Sequence, residues 1–301
     1  MKVANAPVSY GVFGLALPGT VLPDGEQLAR LVHEAGYEGI DLGAPGLLGL
    51  GSDLTDRLAR HHLGLAGGWV DLPFGAGTEE EFEAAFAAAR EAMPLFVAGA
   101  QAGDFPAPKP TIADMGDDSR RLHPGGGEEL ELAPWQWDRF GERLTRVAEL
   151  VRGYDLEPTF HHHACTFVET PAEIDQFLAL GAMDLTFDSG HLLIGGGDPV
   201  RDIVRWMDRI NHLHLKDADR SILAAAMGSD DPLRDVWSKR VFVPLGQGDL
   251  DVEAMMSTIM SSGFDGWLVV EQDVILQNEA DLARAVQDQI DNRVALRRWL
   301  P

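Results

Sequence analysis

The chain holds a single cysteine, Cys165, among 301 residues. An intrachain disulfide is excluded, and the composition fits a reducing compartment. Basic residues are also scarce: 24 Lys and Arg stand against 48 Asp and Glu, a formal net charge of −24. Nucleic-acid affinity rests on Lys and Arg neutralising phosphates, so no nucleic-acid partner is expected. The acidity reads instead as a solvated outer face. No apolar run reaches the roughly 18 residues that a membrane span needs, so no membrane partner is expected. No basic segment followed by an apolar core opens the chain, so a signal peptide is not expected either. These absences lead to the expectation of a cytoplasmic protein. Hydrophobic residues are plentiful, at 45%, and allow a sizeable core.

Phe160–Cys165 reads Phe-His-His-His-Ala-Cys, and three later stretches share its character. They are Leu185–His191 (LTFDSGH), Asn211–Asp217 (NHLHLKD) and Trp267–Asp273 (WLVVEQD). Short apolar runs bounded by turns read as buried strands. Side chains alternate along a strand, so His161 and His163 share one face, as do His212, His214 and Lys216, and as does Glu271 with Trp267 and Val269. Four strands thus carry ionisable groups near their carboxyl ends. A metal or acid–base site at the top of a parallel barrel needs that arrangement.

The rest of the chain alternates strand-like and helix-like segments. Ser9–Leu17, Gly39–Leu42, Leu63–Leu72 and Leu95–Gln101 are the first four expected strands. Asp24–Ala35, Leu54–His62 and Glu79–Met93 are the helices between them. Residues 102–134, rich in Gly, Pro and Asp, are expected to form a long active-site loop. Then come Trp135–Gly153, Glu157–His163, Pro171–Leu180, Asp184–Asp188, Pro199–Arg209 and Ile210–Lys216. Residues 217–249 are a second long insertion, and Val252–Ser261, Gly266–Glu271 and Glu279–Leu300 close the series. Eight strand–helix pairs predict an α/β protein, a single-domain (β/α)₈ TIM barrel over residues 1–301. An open doubly wound sheet would want a glycine-rich phosphate turn, and Gly11-Val12-Phe13-Gly14 lacks the third glycine.

His161, His163, Asp188, His212, His214 and Glu271 make a mixed nitrogen and oxygen set. Such a set suits Mn²⁺, Co²⁺, Fe²⁺ or Zn²⁺ better than Ca²⁺. One such histidine alone would read as a hydrogen-bonded core group; convergence from four strands reads as a site. His162 is expected to face the helical shell. An inward Lys216 in a low-dielectric site loses its proton more easily and is an acid–base candidate, with a salt bridge to Asp217 or another carboxylate as the plainer reading. Cys165 is expected to be a small buried hydrophobe. Gly195-Gly196-Gly197 lacks the Lys and Ser/Thr of a phosphate loop and reads as a turn before a helix at Asp198-Pro199.

Asp188-Ser-Gly-His191, His212-Leu-His214 and Glu271 in Val-Val-Glu are similar to the motifs of the xylose-isomerase-like barrel superfamily. That superfamily includes sugar epimerases, inosose dehydratases and endonuclease IV. The resemblance spans residues 9 to 300. It implies that Asp188, His214 and Glu271 bind a divalent metal, that His191 contacts substrate, and that Arg220 is a substrate-binding arginine. The epimerases present Glu at the end of the fifth strand, where this chain has His161, with His163 as the alternative donor. Inosose dehydratases share the triple-His stretch, similar to His161-His-His163-x-x-Thr166 with Glu169-Thr170 following. They also resemble this chain at Gly39–Gly43, Trp69–Leu72 and His214–Asp217. The implied metal set is His161, Asp188, His214 and Glu271; the implied substrate contacts are Arg220, Trp69, His163 and Glu169. Mn²⁺ and Co²⁺ head the expected metals, with Zn²⁺, Fe²⁺ and Mg²⁺ also admitted.

Paired carboxylates straddling a sugar suit epimerisation, because one removes a proton and the other returns it. Replacing one by His breaks that symmetry and suits dehydration, which needs one base and one acid. Lys216, His191 and Glu271 share the candidacy for those roles. The expected protein is a metal-dependent hydro-lyase acting on a keto-inositol or related polyol ketone. A ketose epimerase or isomerase is the alternative enzyme, and a sugar-binding protein on a decayed barrel the non-catalytic one. A homo-oligomer is allowed.

Overall fold

The computed structural model describes residues 1–300, and its strands form one parallel sheet apart from a short hairpin. β1 is Lys2–Asn5, β2 is Gly39–Ile40, and β3 has two pieces, Gly64–Leu65 and Gly67–Leu72. β4 is Lys109–Asp114, β5 Thr159–His161, β6 Asp184–Asp188, β7 Ile210–Leu215 and β8 Trp267–Val270. The two pieces of β3 are the two ends of the hydrogen-bonded order, and only Ala66 separates them. Ala66 donates to the Ile40 carbonyl at 3.0 Å and accepts from the Lys109 N–H at 3.0 Å. The sheet therefore closes into the predicted (β/α)₈ TIM barrel.

Two expected strands lie elsewhere. The first is Lys2–Asn5, not Ser9–Leu17; Ser9 belongs to a 3₁₀ turn, Pro7–Tyr10, which Gly11 ends at φ 78°. β1 uses small residues, and Ala4 and Ala6 pack beside Trp267 inside the barrel. The supposed fourth strand, Leu95–Gln101, is the end of a helix, Glu79–Ala100, that runs on through Pro94. Its Leu95–Ala98 run looks strand-like, yet Ala89, Met93, Phe96 and Gly99 are its buried face, at helical spacing. β4 instead lies inside residues 102–134, followed by a short helix, Asp118–Arg121. The second insertion carries the hairpin, Asp217–Ala218 against Phe242–Val243, and the helices Arg220–Ala226 and Pro232–Ser238.

Alternation along the strands produces two separate cores. Outward residues such as Phe160, Phe187, Leu213 and Leu268 join the helices in one large cluster. Inside the barrel, Ala4, Ala6, Ala66, Trp267 and Val269 form a small one. Trp267 fills the floor: a Cβ on Gly39 would sit 2.4 Å from its ring, and one on Gly64 2.7 Å away. Only glycine fits at those two strand positions. Above this floor the inward residues turn polar, and the site begins.

Candidate metal centre

Strands β5 to β8 run parallel in register, with His161 opposite Thr186, Asp188 opposite His214, and His214 opposite Val269. Inward alternation then brings His161, Asp188, His214 and Glu271 to one level. One ligand atom from each lies within 4.8 Å of all the others. His161 Nε2 is 3.1 Å from His214 Nδ1 and 3.4 Å from Asp188 Oδ2. His214 Nδ1 is 3.2 Å from Glu271 Oε2. Asp188 Oδ2 is buried and accepts no hydrogen bond. A buried carboxylate oxygen needs a countercharge; Lys216 Nζ lies 3.3 Å from this one, and His161 Nε2 and His214 Nδ1 converge on it at 3.4 and 3.6 Å. Two imidazole nitrogens and two carboxylates suit a divalent transition ion.

Each residue of the Asp188–His191 motif has a task. Asp188 caps the short helix Ser189–Ile194, its Oδ1 accepting from the His191 N–H at 2.9 Å, which leaves Oδ2 for the centre. The Ser189 hydroxyl donates to the Lys216 carbonyl at 2.7 Å and accepts from its N–H at 2.9 Å. Gly190 leaves room for the Lys216 stem: a Cβ there would lie 2.5 Å from Lys216 Cγ.

Lys216 Nζ is fully buried among three carboxylates: Glu271 at 2.7 Å, Asp273 at 3.0 Å and Asp188 at 3.3 Å. Burial pulls the ammonium down, but the carboxylates outweigh it and hold the lysine well above its ordinary pKa. The easy proton loss expected from the sequence is thus reversed, because that reading weighed burial without Asp273. The plainer reading, a salt bridge to a carboxylate, holds, but with Glu271, Asp273 and Asp188 rather than Asp217. Asp217 instead accepts the backbone N–H groups of Ala218, Gly246, Gly248 and Leu250.

The same contest governs the donors. Burial raises Asp188 and Glu271, yet their neighbouring cations hold both well below the usual carboxylate range. Burial lowers His161. It also lowers His214, but Glu271 and Asp188 reverse that and raise it to about 10. Metal binding must therefore expel a proton from His214.

The other predicted site residues are placed differently. His163 lies outside the four-donor group; its ring centroid is 3.7 Å from that of His191 at a 40° tilt, and its Nδ1 meets the Ala164 carbonyl at 2.8 Å. Trp69 is 41% exposed, its ring 5.5 Å from His161 and 5.0 Å from His163, a lip over the centre. Arg220 is exposed and donates to the Gly197 carbonyl at 2.8 Å. Glu169 is enclosed: one oxygen accepts from Gly125 N–H at 2.6 Å and the other faces Arg120 at 3.3 Å. It ties down residues 118–126 rather than facing the centre. His162 is buried, accepts from the Asp188 N–H at 3.1 Å and packs on Phe187. Cys165 is buried in the large core at φ 67°.

Three residues escaped the sequence reading. Asp273 shares the face of Glu271 two positions on, and burial raises its carboxyl to about 7 against the pull of Lys216. Trp237, in the second insertion, donates its indole N–H to Asp273 at 3.1 Å. Asp41 has a buried, unpartnered oxygen, and burial raises it to about 7 although His214 opposes. The two-residue spacings Gly39–Asp41 and Glu271–Asp273 carried the signal for two of them. His163, His191 and Asp273 form a second convergent group.

The fold and the centre together define a TIM barrel with a mixed His and carboxylate site for a divalent ion. A sequence model described as "Xylose isomerase-like TIM barrel" matches residues 110–292, more than half of the chain. The chain belongs to that family. It is similar to the rhizopine catabolism protein MocC of Rhizobium meliloti, 32% identical over 82% of this chain and 74% of the relative. It is also similar to an inosose dehydratase of Lacticaseibacillus casei, 29% identical over 88% of each chain. Among solved structures, IolI protein with a bound zinc atom superposes with a TM-score of 0.68 at 16% identity, over 98% of each chain. No helix among the described residues is long and apolar enough to cross a membrane.

Proposed function

We propose that this chain is a divalent-metal-dependent hydro-lyase that dehydrates a keto-inositol or a closely related polyol ketone in the cytoplasm. The observation that carries the reading is the asymmetry of the site. His161 takes the place at which a second ligand carboxylate would serve epimerisation, and a buried ammonium, Lys216, stands beside Glu271. The similarity to inosose dehydratases along nearly the whole chain supports the same substrate class.

A divalent ion held by His161, Asp188, His214 and Glu271 would supply Lewis acidity to the substrate carbonyl. Mn²⁺ and Co²⁺ are the ions proposed. Glu271, kept ionised by its cationic neighbours, accepts the proton α to the carbonyl. Lys216 holds a proton at Nζ for the departing hydroxyl, which leaves as water when the C–O bond breaks. Glu271 then returns its proton to Lys216, which restores both groups. His191 Nδ1 lies 3.3 Å from the Ala164 N–H and Nε2 3.0 Å from Lys216 Nζ, so the ring sits beside the proton donor and serves as a substrate contact. Trp69 covers one side of the mouth.

The test is product mass. Metal-loaded protein is incubated with scyllo-inosose and with a panel of ketoses. A product lighter by one water is expected from the inosose. Isobaric products that gain solvent deuterium, from every accepted ketose, would establish an epimerase instead.

A further inference from the structure

Lys216 and the metal have overlapping claims. Two of the oxygens nearest Nζ, Asp188 Oδ2 at 3.3 Å and Glu271 Oε2 at 2.7 Å, belong to the proposed donor set. A divalent ion and an ammonium on the same oxygens repel each other strongly at low dielectric. Yet Lys216 has little freedom to withdraw. It is fully buried, its stem lies on Gly190, and Nζ is 4.9 Å over the Phe242 ring. Only the tip can turn, and what it turns toward must accept a hydrogen bond.

His191 Nε2 lies 3.0 Å from Nζ, but it accepts only in the tautomer that gives up the 3.3 Å contact from the Ala164 N–H to Nδ1, and a neutral imidazole has no charge to hold an ammonium away from two carboxylates. Asp273 remains. Its Oδ1 is 3.0 Å from Nζ, and Oδ1 is buried with no hydrogen-bond partner of its own. Its Oδ2 is fixed by the Trp237 indole N–H at 3.1 Å. The second insertion thus delivers Trp237 to hold a carboxylate beside the metal set.

We infer that Asp273, locked by Trp237, is a positioning residue that draws the Lys216 ammonium off the ligand oxygens and so lets the divalent ion bind. The inference rests on the four-donor reading of the metal centre and extends it to two residues outside that set. Its reach is to metal affinity, which is measured without turnover.

Calorimetric titration of metal-free protein with Mn²⁺, in mildly alkaline buffer, reads the effect. Asp273→Asn should weaken Mn²⁺ binding about tenfold or more, since Lys216 then has only the ligand oxygens to pair with. Trp237→Phe should weaken it in the same direction and less, and serves as the second probe if Asp273→Asn folds poorly by circular dichroism. In a Lys216→Met background the Asp273→Asn substitution should cost almost nothing. Removing a nearby negative charge would by itself weaken binding in both backgrounds equally. Equal losses with and without Lys216, or unchanged affinity in Asp273→Asn and Trp237→Phe, would overturn the inference. Failure of the wild-type protein to bind Mn²⁺, Co²⁺ or Zn²⁺ would instead overturn the four-donor reading beneath it.

Discussion

His161 Nε2 and His214 Nδ1 face each other at 3.1 Å from opposite sides of β6, with Asp188 Oδ2 between their strands. With His214 protonated, its Nδ1–H can donate to His161 Nε2, and a divalent ion would replace that proton as the shared partner of both lone pairs. His161→Ala should therefore lose divalent-metal affinity, while His163→Ala, outside the four-donor group, should keep it. His161→Glu should retain Mn²⁺, since an anionic oxygen donor is also a good ligand for it, but slow dehydration by adding negative charge to the donor set. Equilibrium dialysis and steady-state rates on the three variants check this. Loss of metal in His163→Ala alone would move the fifth-strand ligand by two residues. His161 Nδ1 is buried and has no hydrogen-bond partner.

Asp188→Asn isolates the ligand oxygen. The amide can still accept the His191 N–H with its oxygen and keep the cap on Ser189–Ile194. What it presents to the centre is then an amide nitrogen, which is no ligand. Metal affinity should fall by at least the roughly 10–100-fold that outer-shell changes cause, with a near-native circular dichroism spectrum. A dialysed Asp188→Asn protein that keeps full metal occupancy removes Asp188 from the set.

The centre was legible because its residues obey one simple rule. His161, Asp188, His214 and Glu271 all lie inward at the ends of recognisable strands, so alternation alone gathers them. The barrel was legible in its second half for the same reason. The first half hid two strands. β1 offers only Val3-Ala4 as apolar signal because Trp267 fills the space that larger side chains would need. β4 opens on Lys109-Pro110-Thr111, which reads as loop. Asp41 lies within the expected strand Gly39–Leu42 and Asp273 ends the stretch Trp267–Asp273, but apart from their two-residue spacings nothing local singles out either carboxylate as part of the site. Trp237 could not be placed, since nothing local says that an indole in a long insertion folds back on Asp273. The same gap explains the error over Lys216: its environment is set by three carboxylates from two other strands.

Glu169 gives a stability prediction with a definite sign. Burial raises its carboxyl from 4.5 to about 8, despite Arg120 and the Gly125 N–H. The protonated form is thus favoured in the folded chain. Its contribution is fully present below about 4.5 and is lost as pH rises through about 8. Glu169→Gln cannot ionise, so wild-type stability should fall relative to the variant across this window, by up to about 1.4 kcal/mol per pH unit. Urea midpoints of both proteins at several pH values measure it. A pH-independent difference between them would show that the carboxyl stays ionised on Arg120 throughout.

Gly190 gives the most local prediction. The glycine packs on the Lys216 stem, and a Cβ would lie 2.5 Å from Cγ and 2.8 Å from Cβ and Cδ of that lysine. These are atoms near the root of a buried side chain, so the contact cannot be relieved by moving its tip. The backbones are also tied, through Ser189 to the Lys216 N–H and carbonyl. Gly190→Ala must therefore push the stem aside, and overpacking of this kind costs about 1–3 kcal/mol. The displaced ammonium should also lose its place beside Glu271, so dehydration should slow even where the protein remains folded. Coupling tells the cause apart from a general effect on the helix. In a Lys216→Ala background, with Cγ and Cδ gone, most of the stability cost of Gly190→Ala should vanish. Urea unfolding of the two single variants and the double variant measures that coupling, and additive costs would mean that Gly190 serves the helix rather than the lysine.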